Sequence, residues 1–149
     1  MELASIVRFL HNLFTALWIG GLLAITLFII PGVRKNKQIS DPWLVIDGIQ
    51  KRFVPIAITS IVVLVITGIL LGRVSKDFTG LFQFETPYMT AVSIKHMLTL
   101  IMVAVAILRL NINKKIRKEA NPKKQKMSVV LVSLNSLLGV LVLFLSSII

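Results

Sequence analysis

Four long apolar runs dominate this sequence, at about residues 3–31, 53–72, 87–110 and 127–149. Each is close to or above the roughly 20 residues that an α-helix needs to cross the hydrocarbon core of a bilayer. The hydrophobic fraction of 56% also exceeds the roughly 45–50% that is usual in soluble domains. We therefore predict a multi-pass protein of the cell membrane, an all-α, four-transmembrane-helix bundle in which residues 1–149 form a single membrane domain.

The basic residues between the runs predict the orientation of this bundle. The chain has 17 Lys and Arg against 6 Asp and Glu, and most of these cations lie in the first and third loops. The second loop has only Arg73 and Lys76 near it. By the positive-inside rule the two basic loops face the cytoplasm and both termini lie outside. Topology and attraction to anionic lipid account for the charge, so we expect the lipid bilayer as a partner and no nucleic acid.

A short amphipathic stretch precedes the second run. Asp41-Pro42 is typical of a helix start, with a side-chain acceptor at the N-cap and proline in the first turn. Apolar and polar residues alternate over residues 43–52, and Pro55 can kink the junction that follows. We expect a short interfacial helix here, before the second span. Thr86-Pro87 repeats the start signal ahead of the third run.

Several kinds of chemistry are excluded by residue types that the sequence lacks. The chain has no cysteine, which rules out disulfides, thiolate metal sites, iron–sulfur clusters and covalently attached c-type haem. No Asp or Glu lies within a predicted span, so hydrolytic acid–base chemistry inside the membrane has no support. Ionisable groups within the spans are the remaining candidates, because charge is costly to bury in hydrocarbon.

Both histidines and one lysine lie within predicted spans. Arg8 and His11 are three residues apart in the first run, and Lys95 and His96 adjoin in the third. Counted from the outer ends of their runs, His11 and Lys95 lie about eight residues, or about 12 Å, into the bilayer. The second run brings Thr67 to the same level. Because residues distant in sequence share one depth, we predict a site in the outer half of the bundle.

Packing is the alternative interpretation for each of these residues. Arg8 and Lys95 would then extend toward the outer interface, while the histidines would hydrogen-bond neighbouring helices. Trp18 is expected to pack between helices rather than to contact a cofactor. Arg109, one turn from the inner end of the third run, is expected to extend toward the cytoplasm.

Short motifs in the first three runs resemble those of one membrane family. They are Arg8-Phe9-Leu10-His11 followed by Leu17-Trp18-Ile19-Gly20-Gly21, Arg52-Phe53 with Ile66-Thr67-Gly68, and Thr86-Pro87-Tyr88 followed by Lys95, Arg109 and Asn111. In order and spacing these motifs resemble the copper-resistance D (CopD) membrane domain. The resemblance covers roughly residues 5–111, and the fourth run is similar only in hydrophobicity.

A second, more distant resemblance is to the oxygen-independent protoporphyrinogen oxidases of HemJ type. That four-helix family also pairs a first-helix histidine with a third-helix lysine and is associated with b-type haem. The positions that correspond are His11, Trp18 and Lys95. The present chain lacks the family's Leu-Pro-Arg step after the tryptophan, so the resemblance implies the shared site and not the oxidase activity.

These resemblances imply a membrane protein that holds a redox centre between the first and third spans, with haem b as the expected cofactor. The candidate cofactor-binding residues are His11, Lys95, His96, Arg8 and Trp18, and the candidate metal ligands are His11 and His96. The expected role is electron transfer, with a quinone or a membrane redox enzyme as partner.

Two other functions are open. The family name implies copper transport or copper handling, for which His11 with Met97 or Met102 would provide nitrogen and thioether ligands suited to Cu(I). Methionines in an apolar helix more commonly fill space. The third possibility is a structural membrane subunit without a cofactor.

Overall fold

The computed structural model describes residues 3–74 and 84–148, and Lys76 lies outside these ranges. The elements are α1 (Leu3–Ala24), a π-helical turn (Ile25–Ile29), α2 (Ile30–Lys35), α3 (Pro42–Val74), α4 (Pro87–Lys118) and α5 (Pro122–Ser147). Four segments are long and apolar enough to cross a membrane: Leu3–Lys35, Pro42–Arg73, Pro87–Lys118 and Pro122–Ser147. The all-α, four-span prediction is confirmed, while the placement of the termini outside stays a prediction.

The first span is continuous through α1, the π-helical turn and α2. In the wider turn, the N–H of Ile30 donates to the carbonyl of Ile25, five residues back. Pro31 follows directly; it has no N–H, and its ring would clash with the carbonyl four residues earlier in a regular α-helix. The extra residue in the turn accommodates this proline and keeps the span helical as far as its basic end.

The expected interfacial helix is not separate in the structure but forms the first turns of α3. The Asp41 carboxylate accepts the N–H groups of Trp43 and Leu44 at 3.0 and 3.2 Å, as the cap signal predicts. From there 33 residues stay helical, with Pro55 inside the helix. At about 1.5 Å per residue α3 is about 50 Å long, well over the roughly 30 Å of hydrocarbon, so its amphipathic start extends beyond the apolar layer.

The next two helices begin at similar caps. Thr86 Oγ1 accepts the N–H of Met89 at 3.1 Å, one turn into α4, which confirms the predicted start. Asn121 Oδ1 accepts the N–H groups of Lys123 and Lys124 at the start of α5. These caps satisfy N–H groups that the first turn of a helix leaves without a partner.

The helices pack as two pairs, α1 with α3 and α4 with α5, and α1 also contacts α5. Their common core is an apolar cluster to which every helix contributes, with Trp18, Ile19 and Leu22 of α1, Ile46 of α3, Met102 of α4, and Val132 and Val142 of α5 among its members. Small residues permit close approach: Gly139 of α5 lies against Ile19 and Met102. Large apolar side chains on the outer faces remain exposed, as expected for helices that contact lipid.

We expect Gly21→Ala to destabilise the bundle by about 1–3 kcal/mol, because the added Cβ would overlap the ring of Phe53 on α3. Unfolding by SDS titration in mixed micelles measures the change. Gly20→Ala is the matched control, since a Cβ there meets nothing within 4 Å. Phe53→Leu in the Gly21→Ala background should recover part of the loss, and no recovery would place the strain elsewhere.

Candidate functional site

His11 of α1 is hydrogen-bonded to Thr67 of α3, with its Nδ1 2.9 Å from Thr67 Oγ1. The Thr67 hydroxyl has one proton, and it donates this proton to the carbonyl of Val63 at 2.7 Å. The hydroxyl must therefore accept from His11, so the imidazole proton is on Nδ1. This tautomer leaves the lone pair of Nε2 available for a metal ion.

The surroundings of His11 hold the ring in place on α3. Gly68 of α3 lies beside the imidazole, and a Cβ there would make an ordinary van der Waals contact with His11 Cε1 at 3.8 Å. Thr15, one turn further along α1, donates its hydroxyl proton to the carbonyl of His11 at 2.7 Å. The contact of His11 with Thr67 agrees with the depth argument made from the sequence.

The third span supplies the other two charged or titratable groups. Lys95 and His96 of α4 lie near enough to His11 for a charge on either side chain to act on the imidazole. The helix register agrees, because Gln50 of α3 bonds Asn113 of α4, and an antiparallel continuation brings Thr67 level with His96. His11, Lys95 and His96 thus share one level of the bundle, on α1 and α4, which belong to different helix pairs.

Arg8 and Trp18 are the other two predicted cofactor-binding residues. Arg8 is exposed, near the N-terminus of α1. Trp18 is 3% exposed and belongs to the central apolar cluster. It lies seven residues, or about 10 Å, further into the bilayer than His11. Trp18 packs in this cluster, and a cofactor contact of Trp18 stays a prediction.

The donor atoms at the site are nitrogens. Within residues 3–74 and 84–148, no three His, Cys, Asp or Glu side chains group in a way that could hold a metal ion. Met97 is 46% exposed on the outer face of α4. Met102 is buried against Gly139, nearly two turns beyond His96. The nitrogen donors at this level are therefore the imidazoles of His11 and His96 and the amine of Lys95.

Sequence analysis missed a polar network, here called the inner network, which lies between the start of α3, the end of α4 and the start of α5. Arg117 of α4 donates hydrogen bonds from Nε and Nη2 to the carboxylate of Asp47 on α3, with N–O distances of 2.9–3.1 Å. Beside this pair, Asn113 donates to Gln50 at 2.9 Å and accepts from Ser128 of α5 at 2.6 Å. These contacts join α3, α4 and α5. The spacing of Asp47 and Gln50, and of Asn113 and Arg117, by one turn on each helix was the available signal.

The comparisons with known proteins give one result. The model of a family described as copper resistance protein D matches residues 48–149, about two thirds of the chain. No curated protein and no solved structure matches. The matched residues include most of α3 and all of α4 and α5, whereas His11 and the rest of α1 precede them.

Proposed function

Since this chain belongs to the copper resistance protein D family, we propose that it binds a copper ion between α1 and α4, with His11 Nε2 and the His96 imidazole as ligands. The proposal rests chiefly on one observation, the hydrogen bond from His11 Nδ1 to Thr67. Imidazole nitrogen is a good copper ligand, and metal-binding histidines usually donate their other N–H to a neighbouring acceptor. In this proposal copper is the cargo of a copper-handling membrane protein.

Lys95 would lower the copper affinity of the proposed site, which suits a site that must release the ion as well as bind it. Its ammonium group, close to His11, would repel a copper cation at the two imidazoles. The repulsion would weaken binding without removing a ligand. A cargo site needs moderate affinity, because the ion must leave as well as enter.

The second candidate, haem b with a role in electron transfer, is supported by the same lysine. His11 Nε2 would be the axial ligand, with His96 or Lys95 as a possible second, and a protonated Lys95 would pair with a haem propionate. Haem would supply one-electron chemistry, with a quinone or a membrane redox enzyme as partner. The family to which the chain belongs is described by copper resistance, which favours copper as the bound group. For this reason we place copper first.

Metal analysis and an absorption spectrum of the purified protein test the proposal. The protein should be produced in cells supplied with both copper and haem precursors and purified in detergent. We expect about one copper ion per chain, because His11 and His96 can form one two-nitrogen site, and no Soret band. A red protein with a Soret band would establish haem instead. Absence of both would leave the structural subunit as the function.

Lys95→Met separates the two candidates by the sign of its effect. It removes the amine and keeps an apolar side chain of similar length. If copper is bound, the loss of repulsion should raise the affinity by about tenfold. If haem is bound, the loss of the propionate partner should lower haem retention.

A further inference from the structure

Arg109 of α4 is a partly buried residue whose role the metal site does not explain. Its Nε and Nη2 atoms are buried and have no hydrogen-bond partner within residues 3–74 and 84–148. The sequence predicts that this side chain extends toward the cytoplasm, and the structure instead keeps these two atoms among the helices. Buried, unpaired nitrogens of a cation are costly in a membrane, so a compensating anion is expected.

The protein itself does not supply that anion from the residues described. Of their carboxylates, only Asp47 is buried, and it is bound by Arg117 and lies 3.4 Å from Lys51 Nζ. The ion pair of Arg117 with Asp47 also shows which hydrogen bonds Arg109 does not make. Arg117 uses Nε and Nη2 as a planar fork for two oxygens, and Arg109 leaves the same two atoms of its own fork unoccupied. This geometry suits a carboxylate or a phosphate.

A second unpartnered group lies on the facing helix. The bond between Asn113 and Ser128 and the contact of Met102 with Gly139 fix how α4 and α5 face each other. Asn135 lies between Ser128 and Gly139 on α5, is 2% exposed, and has a buried Oδ1 without a partner. Arg109 lies one turn before Asn113, and helical side chains lean toward the N-terminus, here toward the level of Asn135. A 180° rotation of the Asn135 side-chain amide would present its NH₂ group to the same ligand.

The depth of Arg109 in the bilayer indicates which anion lies at the same level. Arg109 follows Pro87, the first residue of α4, by about 22 residues, or about 33 Å along the helix. The hydrocarbon core is about 30 Å thick, so the guanidinium lies where the phosphate groups of one leaflet begin. By the positive-inside rule this is the cytoplasmic leaflet.

The geometry points to a binding site for a phosphate group, held by the Nε and Nη2 fork of Arg109 with Asn135 beside it, between α4 and α5. The phosphate is that of an inner-leaflet phospholipid or free inorganic phosphate, which share this chemistry. The site lies about 13 residues, or about 20 Å, further along α4 than His96, and it is independent of the metal proposal.

Lipid retention and phosphate-dependent stability test this site and distinguish its two sources. The full chain is purified in a phosphate-free maltoside detergent, and native mass spectrometry counts retained phospholipid. After thorough delipidation, the thermal midpoint is measured with inorganic phosphate and with chloride at equal ionic strength. Retained phospholipid identifies the lipid, and a higher midpoint in phosphate without retained lipid identifies the free anion.

Substitutions of Arg109 test whether its Nε and Nη2 atoms are responsible for lipid retention or for the phosphate response. Arg109→Lys keeps the charge and loses the fork, and Arg109→Met loses both; each should weaken retention or the phosphate response by at least about tenfold. Arg34→Met removes an exposed arginine from the last turn of α2 and should change neither. Neither retained lipid nor a phosphate response in the wild type would overturn the proposal. So would an equal loss in Arg34→Met, or a full response in Arg109→Lys if Arg109→Met does not fold.

Discussion

His11→Ala is expected to purify without copper, with an affinity at least about 100-fold below that of the wild type. The variant removes one of two imidazole ligands, and the polar groups left near it are His96, the Lys95 amine and the Thr67 hydroxyl, none of which takes the place of His11 Nε2. A titration with Cu(I) against a chromogenic chelator measures the affinity. Thr67→Val should cost about 10–100-fold, because it removes only the acceptor that orients the ring.

Two further variants show whether the loss of copper in His11→Ala is specific to that imidazole. Asn12→Ala changes the adjacent, exposed residue and should bind copper normally. His96→Ala tests the second ligand, and an equal loss in this variant would support a two-histidine site. Retention of a full complement of copper by correctly folded His11→Ala would disprove the metal assignment.

Asp47→Ala is expected to cause the largest loss of stability of any single substitution in the inner network, about 3 kcal/mol. The Asp47 side chain is 7% exposed and accepts the Arg117 fork. Removing one partner of such a pair leaves the other charge uncompensated, which typically costs about 3–5 kcal/mol. We take the lower end because the Arg117 side chain is 36% exposed and can reach water. SDS titration in mixed micelles measures the difference.

Lys51→Ala is the matched control for Asp47. Lys51 is 55% exposed and lies 3.4 Å from the same carboxylate, so its loss should cost at most about 1 kcal/mol. A double variant, Asp47→Leu with Arg117→Met, should recover much of the loss, because an apolar pair leaves no buried charge. If Asp47→Ala unfolds at the same SDS fraction as the wild type, the pair does not hold α3 to α4.

The sequence predicts the structural features of this protein that are determined by residues close together in the chain. The spans and the caps at Asp41 and Thr86 follow from short stretches of residues, and the sequence predicts them. The meeting of His11 with Thr67 was also predictable, since depth in a bilayer relates residues on separate helices. Depth is a constraint that a soluble protein does not provide.

Features that depend on how helices face one another were not predictable. Asp47 lies in a stretch whose alternation suits an interfacial helix equally well, and only the position of α4 shows that its carboxylate meets Arg117. Arg109 was expected at the surface because long basic side chains near a helix end usually reach water. The register of α4 against α5 determines that its Nε and Nη2 atoms stay buried, and one sequence does not specify that register.

The two proposed copper ligands belong to different helix pairs, and the same two pairs are tied together at the opposite end by Asp47 and Arg117. An ion shared by His11 and His96 would therefore act as a cross-link. By thermodynamic linkage, a rising concentration of free copper stabilises the association of the two helix pairs. Conversely, a substitution that weakens the Asp47–Arg117 ion pair lowers the copper affinity. Copper affinity would then be adjustable from about 30 Å away, by residues that never touch the metal.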